Sequence, residues 1–345
     1  MTNLETGQPD SLKTPTTANN PPRRTGLILH RADTVMSEPV DWLWAGWLAR
    51  AKLQILAGDA GTGKTTIALD MAATVSRGGC WPDGTTAEPG DVLFWSGEDD
   101  IADTLKPRLE RAGADLARVH FIAGMYEAGR KRTFDPAKDV AALSEVMEAL
   151  QRPVLIVVDP LISATRGDSN NNPGQTRRDL DPLVNLAIER RIAVLGIHHL
   201  NKGSQGKKPL ERVTGTHAFA ALARLVFFAA RGEGEAEGER LLVRVKSNIG
   251  PDDGGFRYAL EQAPLADDPE ISASGIVWGE AVQGTAADLL AQLEPGTAGS
   301  PAMSDARRLK QDQALALLAA GMSLRDVERE IDVPRATLHR WQKAA

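Results

Sequence analysis

The stretch GDAGTGKTT, residues 58–66, follows the apolar run LQIL and leads into IALDMAATV. A β-run that turns through glycines straight into a helix-period segment leaves few folds open, because such a loop is built to hold a polyphosphate. The match to G-x-x-x-x-G-K-[ST] is complete: Gly58, Gly63, Lys64 and Thr65, with Asp59, Ala60, Gly61, Thr62 and Thr66 completing the loop. Glycines let the backbone turn its N–H groups inward around phosphate oxygens. Lys64 supplies a cation for the β and γ phosphates and Thr65 a hydroxyl for Mg2+. The helix that follows aims its positive end at the same anion.

The rest of the chain repeats that alternation. Apolar runs LQILAG, DVLFWSGE, VHFIAG, PVLIVVDP and IAVLGIHH are separated by helix-period segments such as IADTLKPRLERAG, KDVAALSEVMEAL and RRDLDPLVNLAIERR. Near-continuous apolar strands between helices predict a mainly parallel sheet covered on both faces, the α/β fold of a P-loop NTPase. From about residue 225 the pattern changes. RLVFFAAR, RLLVRVKSN, FRYALE and GIVWGE read as strands with Gly-rich turns, so C-terminal hairpins extend the sheet. Trp42, Trp44 and Trp47 are expected to pack against a sheet edge.

Residues 1–26 read as a disordered leader rich in Pro, Thr and Asn, 27–283 as the core, 284–304 as a Gly/Pro/Ser linker and 305–345 as a helical tail. The 345 residues are 42% hydrophobic and 25% charged, with net charge −6, so any nucleic-acid contact must come from local patches. The single cysteine, Cys80, permits no intrachain disulfide and reads as buried filler. The chain shows neither a membrane-length apolar run nor a signal-peptide core, which predicts a cytoplasmic protein without a membrane partner.

A phosphate loop needs a metal-side carboxylate. VLIVVDP ends in Asp159, at the C-terminal edge of an apolar strand, where parallel-sheet proteins place ligands and where a carboxylate can hold the Mg2+ water shell. Pro160 follows, so the hydrolytic acid is not directly after it. FWSGEDD supplies the alternative: Glu98 to orient the attacking water, with Asp99 or Asp100 as support or as helix-capping acids. In VLGIHHLNKG, His198 and His199 lie where a side chain can report on the γ-phosphate. Adjacent strand residues point to opposite faces, so the two do not share one ion, and one of them can be purely structural. The sensing role is assigned to His198.

These features together resemble the RecA-like ATPases, which include the DnaB-type hexameric helicases. More closely, AGDAGTGKTTIALDMAA, GDVLFWSGEDD, RLERAGAD, VVDPL, HHLNKG, GTHAFAALARLVFFA and VRVKSNIG, in order over about residues 35–262, are similar to the AAA-family plasmid replicative helicases of the RepA type. The resemblance implies ATP as the nucleotide and a ring, usually a homo-hexamer, with ATP between subunits. It implies that Arg224 reaches the neighbour's γ-phosphate as an arginine finger, that Lys246 joins it, and that Arg108 lies near the nucleotide. It also implies two loops that grip single-stranded DNA: SATRGDSNNNPGQTRR, with Arg166, Arg177 and Arg178, and NKGSQGKKPLERVTGTH, with Lys202, Lys207, Lys208 and Arg212. Both are basic and lack aromatics, so binding would be electrostatic and sequence-blind.

The tail DARRLKQDQALALLAAGMSLRDVEREIDVPRATLHRWQKAA reads as three helices, broken at Gly321, with SLRD as a capping box and Pro334 starting the third. It resembles the helix-turn-helix domains of invertases and resolvases. Arg335, Thr337, His339 and Arg340 would then face duplex DNA. The alternative is a three-helix protein-interaction module. The whole chain thus reads as an ATP-dependent, ring-forming DNA motor, a plasmid or phage replicative helicase. An ATP-switched DNA-binding regulator and a recombination mediator are the rivals.

Overall fold

The computed structural model describes residues 27, 29–166, 172–200, 217–232, 238–293, 313–320 and 322–331. The chain divides into two units, residues 1–39 and residues 40–345. Among the described residues of the first, the regular structure is one 3-10 turn, Ala32–Thr34, with an exposed Arg31–Asp33 ion pair of 2.5 Å.

The second unit begins with a small hairpin of β1 (Trp42–Trp44) and β2 (Leu48–Ala49). There follow β3 (Lys52–Gly58), α1 (Lys64–Arg77), β4 (Asp91–Ser96), a π-helical turn Ile101–Leu105 that runs into α2 (Lys106–Arg111), and β5 (Val119–Phe121). A second small hairpin, β6 (Met125–Glu127) and β7 (Arg130–Arg132), precedes α3 (Val140–Glu148) and β8 (Pro153–Asp159). Next come α4 (Pro173–Arg190), β9 (Ala193–His199), α5 (His217–Leu222) and β10 (Leu225–Arg231). The core closes with β11 (Arg240–Ser247), β12 (Gly255–Pro264), β13 (Ser272–Val282) and α6 (Ala286–Ala291).

Nine strands form one sheet in the order β13-β12-β11-β10-β3-β9-β8-β4-β5. The six strands from β10 to β5 are parallel, and β10 through β13 are joined antiparallel, as the run of short C-terminal strands predicts. The continuous apolar runs are explained by alternation. On β3, Leu56 enters one core while Leu53, Ile55 and Ala57 enter the other. On β4, Val92 and Phe94 face the first core and Leu93 and Trp95 the second. Strands buried on both faces have no solvent side to mark with polar residues.

The first core is covered by α1 and α2, and the second by α3, α4, α5 and α6. The tryptophans do not pack at an edge as expected. Trp44 and Trp47 are buried on the first face, where Trp44 stacks on Trp81 at 4.6 Å and Trp47 lies 5.2 Å from Phe256. Large flat rings gain most from a broad apolar floor, which the face offers and an edge does not. Cys80 is exposed, not buried, because its segment forms an isolated bridge to Thr86 on the surface.

The core also runs further than its expected end at residue 283. Leu289, Leu290 and Leu293, in and just after α6, are buried in the second core, so apolar residues override the Gly/Pro signal around them. Thr285 caps this helix by accepting from the Asp288 N–H at 3.2 Å. In the tail, a helix over 313–319, here α7, and α8 (Leu324–Ile331) bury Ala314 against Val327. Ser323 accepts from the Asp326 N–H at 3.3 Å, as the capping signature predicts. The third expected helix, with Arg335, Thr337, His339 and Arg340, lies outside the described residues. Among the described residues no helix is long and apolar enough to cross a membrane.

Candidate nucleotide site

The loop between β3 and α1 is shaped by close approach and by handedness. A Cβ on Gly58 would stand 2.3 Å from the Ala229 carbonyl oxygen of the neighbouring strand, so no side chain fits there. Gly63 has φ 86°, a left-handed conformation that glycine adopts at little cost. Thr62 Oγ1 and Lys64 Nζ both donate to the Asp59 carbonyl, at 2.9 and 2.8 Å. Lys64 is only 4% exposed. Burial pulls its pKa down, against the attraction of Asp159, Asp59 and Glu98. Such a cation is held ready for an anion and finds none of its own strength at a carbonyl.

Asp159, at the end of β8, accepts from Thr65 Oγ1 at 2.7 Å. Its other oxygen, Oδ1, is buried and has no hydrogen-bond partner among the described residues. Burial pushes the Asp159 carboxyl up to about 6, partly countered by the Thr65 bond and further raised by Glu98 and Asp99. Glu98, just past β4, is exposed, and its Oε2 stands 3.5 Å from His199 Nε2. Glu98, Asp159 and His199 bring one ligand atom each within 4.8 Å of one another. The convergence follows from topology: β3, β9, β8 and β4 are adjacent and parallel, so their C-terminal ends open onto one crevice.

The histidines are corrected by the strand itself. His198 pairs with Ala57 and His199 with Gly58, and they face opposite sides of the sheet. His198 is buried in the second core, 4.8 Å from the Phe219 ring. Burial, with His199 and Lys64 adding to it, pushes its pKa down to about 4, so it is a neutral core residue. His199, not His198, stands with the carboxylates. Its pKa is lowered by burial and by Lys64 and supported by Glu98. Of the two supporting acids, Asp100 caps the π-helical turn by accepting from Ala102 N–H at 2.7 Å and Asp103 N–H at 3.2 Å. Asp99 pairs with Arg108 at 3.5 Å, which brings Arg108 beside the Glu98 segment.

Arg224 and Lys246 lie at the other end of the sheet. Arg224 donates its N–H to Leu53, near the start of β3, and lines a cleft of about 410 Å3 with Lys52 and Arg177. Lys246 pairs across the strands with Val226 and donates to the Ala220 and Ala223 carbonyls at 2.5 and 2.9 Å. The phosphate loop meets the far end of β10, at Ala229. With about 3.3 Å per strand residue, neither cation serves the loop of its own chain. Arg166 directly precedes residues 167–171, which lie outside the described residues, as do Lys202, Lys207, Lys208 and Arg212. Arg177 and Arg178 belong to α4 rather than to a loop, because Asn172 caps that helix and Pro173 starts it. Arg166 stands 4.0 Å from Asp179, and Arg178 donates to Gln175 Oε1 at 2.7 Å.

The profile of the AAA domain family matches residues 18–205, more than half of the chain. The chain belongs to the AAA domain family. For an AAA domain, Mg2+ and ATP are the groups to set against the residues present, and the residues fit. The glycines leave a cradle that a Cβ would fill, Lys64 is a buried cation, and Asp159 Oδ1 is a buried oxygen awaiting a donor or a cation's water. This AAA domain chain is also similar to the DNA repair protein RadA of Brucella abortus (strain 2308), at 22% identity over 280 residues, 76% of this chain and 53% of that protein. It is similar to the DNA repair protein RadA of Bacillus subtilis (strain 168) at 24% identity, covering 50% of this chain and 33% of that protein. The chain therefore spans about half or less of the curated relatives it matches.

Three residues that no motif signals also bear on the site. Tyr258 and Leu260 of β12 touch the phosphate loop, and Trp278 of β13 donates to Asp70 of α1 at 2.7 Å. In the sequence they are ordinary residues of amphipathic strands.

Proposed function

We propose that this chain is an ATP-hydrolysing motor that assembles with copies of itself and acts on DNA, as a replicative helicase. The observation that carries the reading is a site divided between two ends of one sheet. Lys64, Thr65, Glu98, Asp159 and His199 gather at the C-terminal end of the strands, while Arg224 sits at the opposite end. A ring of copies brings the second set to the first, and a lone chain does not.

In this reading Lys64 and the loop amides bind the phosphates, and Thr65 and Asp159 are the residues that would hold Mg2+. Bound Mg2+ supplies charge neutralisation at the phosphates. Glu98 orients the attacking water and accepts its proton at Oε2. His199, 3.5 Å from that oxygen, registers whether the carboxylate is engaged, and β9 carries the change into the basic segment that follows it. Arg224 of a second copy offsets charge in the transition state. Arg166 and Arg178, with Lys202, Lys207, Lys208 and Arg212, neutralise the phosphates of a single strand. The tail residues Arg335, Thr337, His339 and Arg340 contact duplex DNA.

The similarity to proteins named for DNA repair favours a second reading, a recombination or repair mediator built on the same ATP site. ATP turnover measured without DNA, with single strands and with duplex separates them from a mere switch, with Lys64→Ala as control. Strong stimulation by single strands, followed by strand displacement, supports the helicase. Stimulation without displacement favours the mediator. Turnover indifferent to single strands sinks both.

A further inference from the structure

The C-terminal hairpin of β12 and β13 reaches the phosphate loop through one hydroxyl. Tyr258 Oη donates to the Thr62 carbonyl at 2.6 Å, in a buried contact. The Thr62 C=O and the Gly63 N–H belong to one planar trans peptide, so they point in opposite directions. A glycine accepts φ of either sign, so the loop sequence alone leaves that peptide free to flip. A partner on the carbonyl removes the freedom.

We propose that Tyr258 is a positioning residue for the nucleotide site: by holding the Thr62 carbonyl outward, it turns the Gly63 amide inward as a phosphate donor. The inference rests on the ATP-site reading above. The surroundings fit a fixed post. Leu260, two residues on and on the same strand face, fills the space beneath Gly63, where a Cβ would stand 2.7 Å from its Cδ2. Trp278 is the cross-strand partner of Tyr258, with ring centroids 6.0 Å apart, and it grips Asp70 in the helix that follows the loop. One hairpin thus holds loop and helix together. Burial raises the phenol pKa, which keeps the hydroxyl a donor at any working pH.

The test compares full-length wild type, Tyr258→Phe and Trp278→Phe. Tyr258→Phe keeps the ring and removes only the donor. It should bind ATP and inorganic tripolyphosphate about three- to tenfold more weakly, the scale of one hydrogen bond. In the ligand-free protein its amides over residues 58–66 should exchange hydrogen faster than in wild type. Trp278→Phe should lower the thermal midpoint yet keep tripolyphosphate affinity within about twofold, since it leaves the Thr62 peptide anchored. Wild-type affinity and wild-type exchange in Tyr258→Phe overturn the proposal. So does a loss of affinity that tracks lost stability equally in both variants, because that marks a structural role alone. Wild-type protein that binds neither ATP nor tripolyphosphate overturns the ATP-site reading itself, and the positioning role with it.

Discussion

His199 Nε2 and Glu98 Oε2 stand 3.5 Å apart, although 101 positions separate the residues in sequence. One comes from the end of β9, the other from just past β4, and β8 with Asp159 lies between them. A water or a phosphate oxygen placed among the three would touch two carboxylates and a ring nitrogen at once.

Glu98→Gln keeps the size of the side chain and removes its basicity. ATP turnover should fall by about 10²–10⁴-fold, the usual contribution of a positioned acid or base, while ATP affinity changes little. Single-turnover kinetics with a separate equilibrium binding measurement distinguish the two. Turnover retained within a factor of about three removes Glu98 from the water-orienting role.

His198 makes acid pH a probe of the fold. Its folded pKa, about 4, lies below the ordinary 6.5, so the unfolded chain takes the proton first as pH falls. Stability from this group is full above about pH 6.5, is lost progressively below it, and levels off near 4. Asp159 works in the other direction: its folded carboxyl, near 6, is raised above 3.8 and takes its proton before the unfolded one does. A wild-type curve mixes the two. Denaturant melts of wild type and His198→Phe, compared from pH 7 to pH 4, isolate the histidine. The variant should gain on wild type by up to about 3 kcal/mol across that range. A constant gap would show that His198 does not stay neutral in the core.

The Trp278–Asp70 contact ties the C-terminal hairpin to the helix after the phosphate loop. Burial raises the Asp70 pKa, and the indole N–H restrains that rise by favouring the carboxylate. Trp278→Phe leaves the part-buried carboxylate without this donor and should cost about 1–3 kcal/mol at neutral pH. Protonation relieves an unpartnered carboxylate, so the deficit should shrink as the pH falls through the raised pKa. Chemical denaturation at several pH values checks both size and direction. A deficit that grows toward acid pH contradicts the assignment.

Much of this site is legible in the sequence because its parts are local. The phosphate loop carries its own conformation in Gly58 and Gly63, and Asp159 and Glu98 stand at the ends of apolar runs that can only be central strands. What is not legible depends on contacts distant in sequence. Whether His198 or His199 faces the crevice is fixed by the register of β9 against β3, and two adjacent identical residues give no clue to it. Tyr258 reaches back 196 positions to Thr62, and an alternating strand records only that one face is apolar, not what it covers. The end of the core was obscured for a related reason: α6 is short, and its two leucines and the Leu293 that follows sit near Gly and Pro residues that signal a linker.

Arg224 gives the sharpest test of assembly. It directly precedes β10, beside Leu53, whereas the phosphate loop leaves the other end of β3, so removing it spares the chain's own phosphate loop. Arg224→Ala alone should bind ATP normally and turn it over far more slowly, by about 10³-fold or more if the guanidinium acts on transition-state charge. Lys64→Ala alone should fail to bind. Mixed in one oligomer, the two variants place an intact phosphate loop of one copy against an intact Arg224 of another at some interfaces. Turnover in the mixture should therefore exceed the sum of the separate variants, with a maximum at intermediate ratios. Simple additivity at every ratio, in samples shown by mass to contain both chains in one particle, would mean that Arg224 does not complete a neighbour's site.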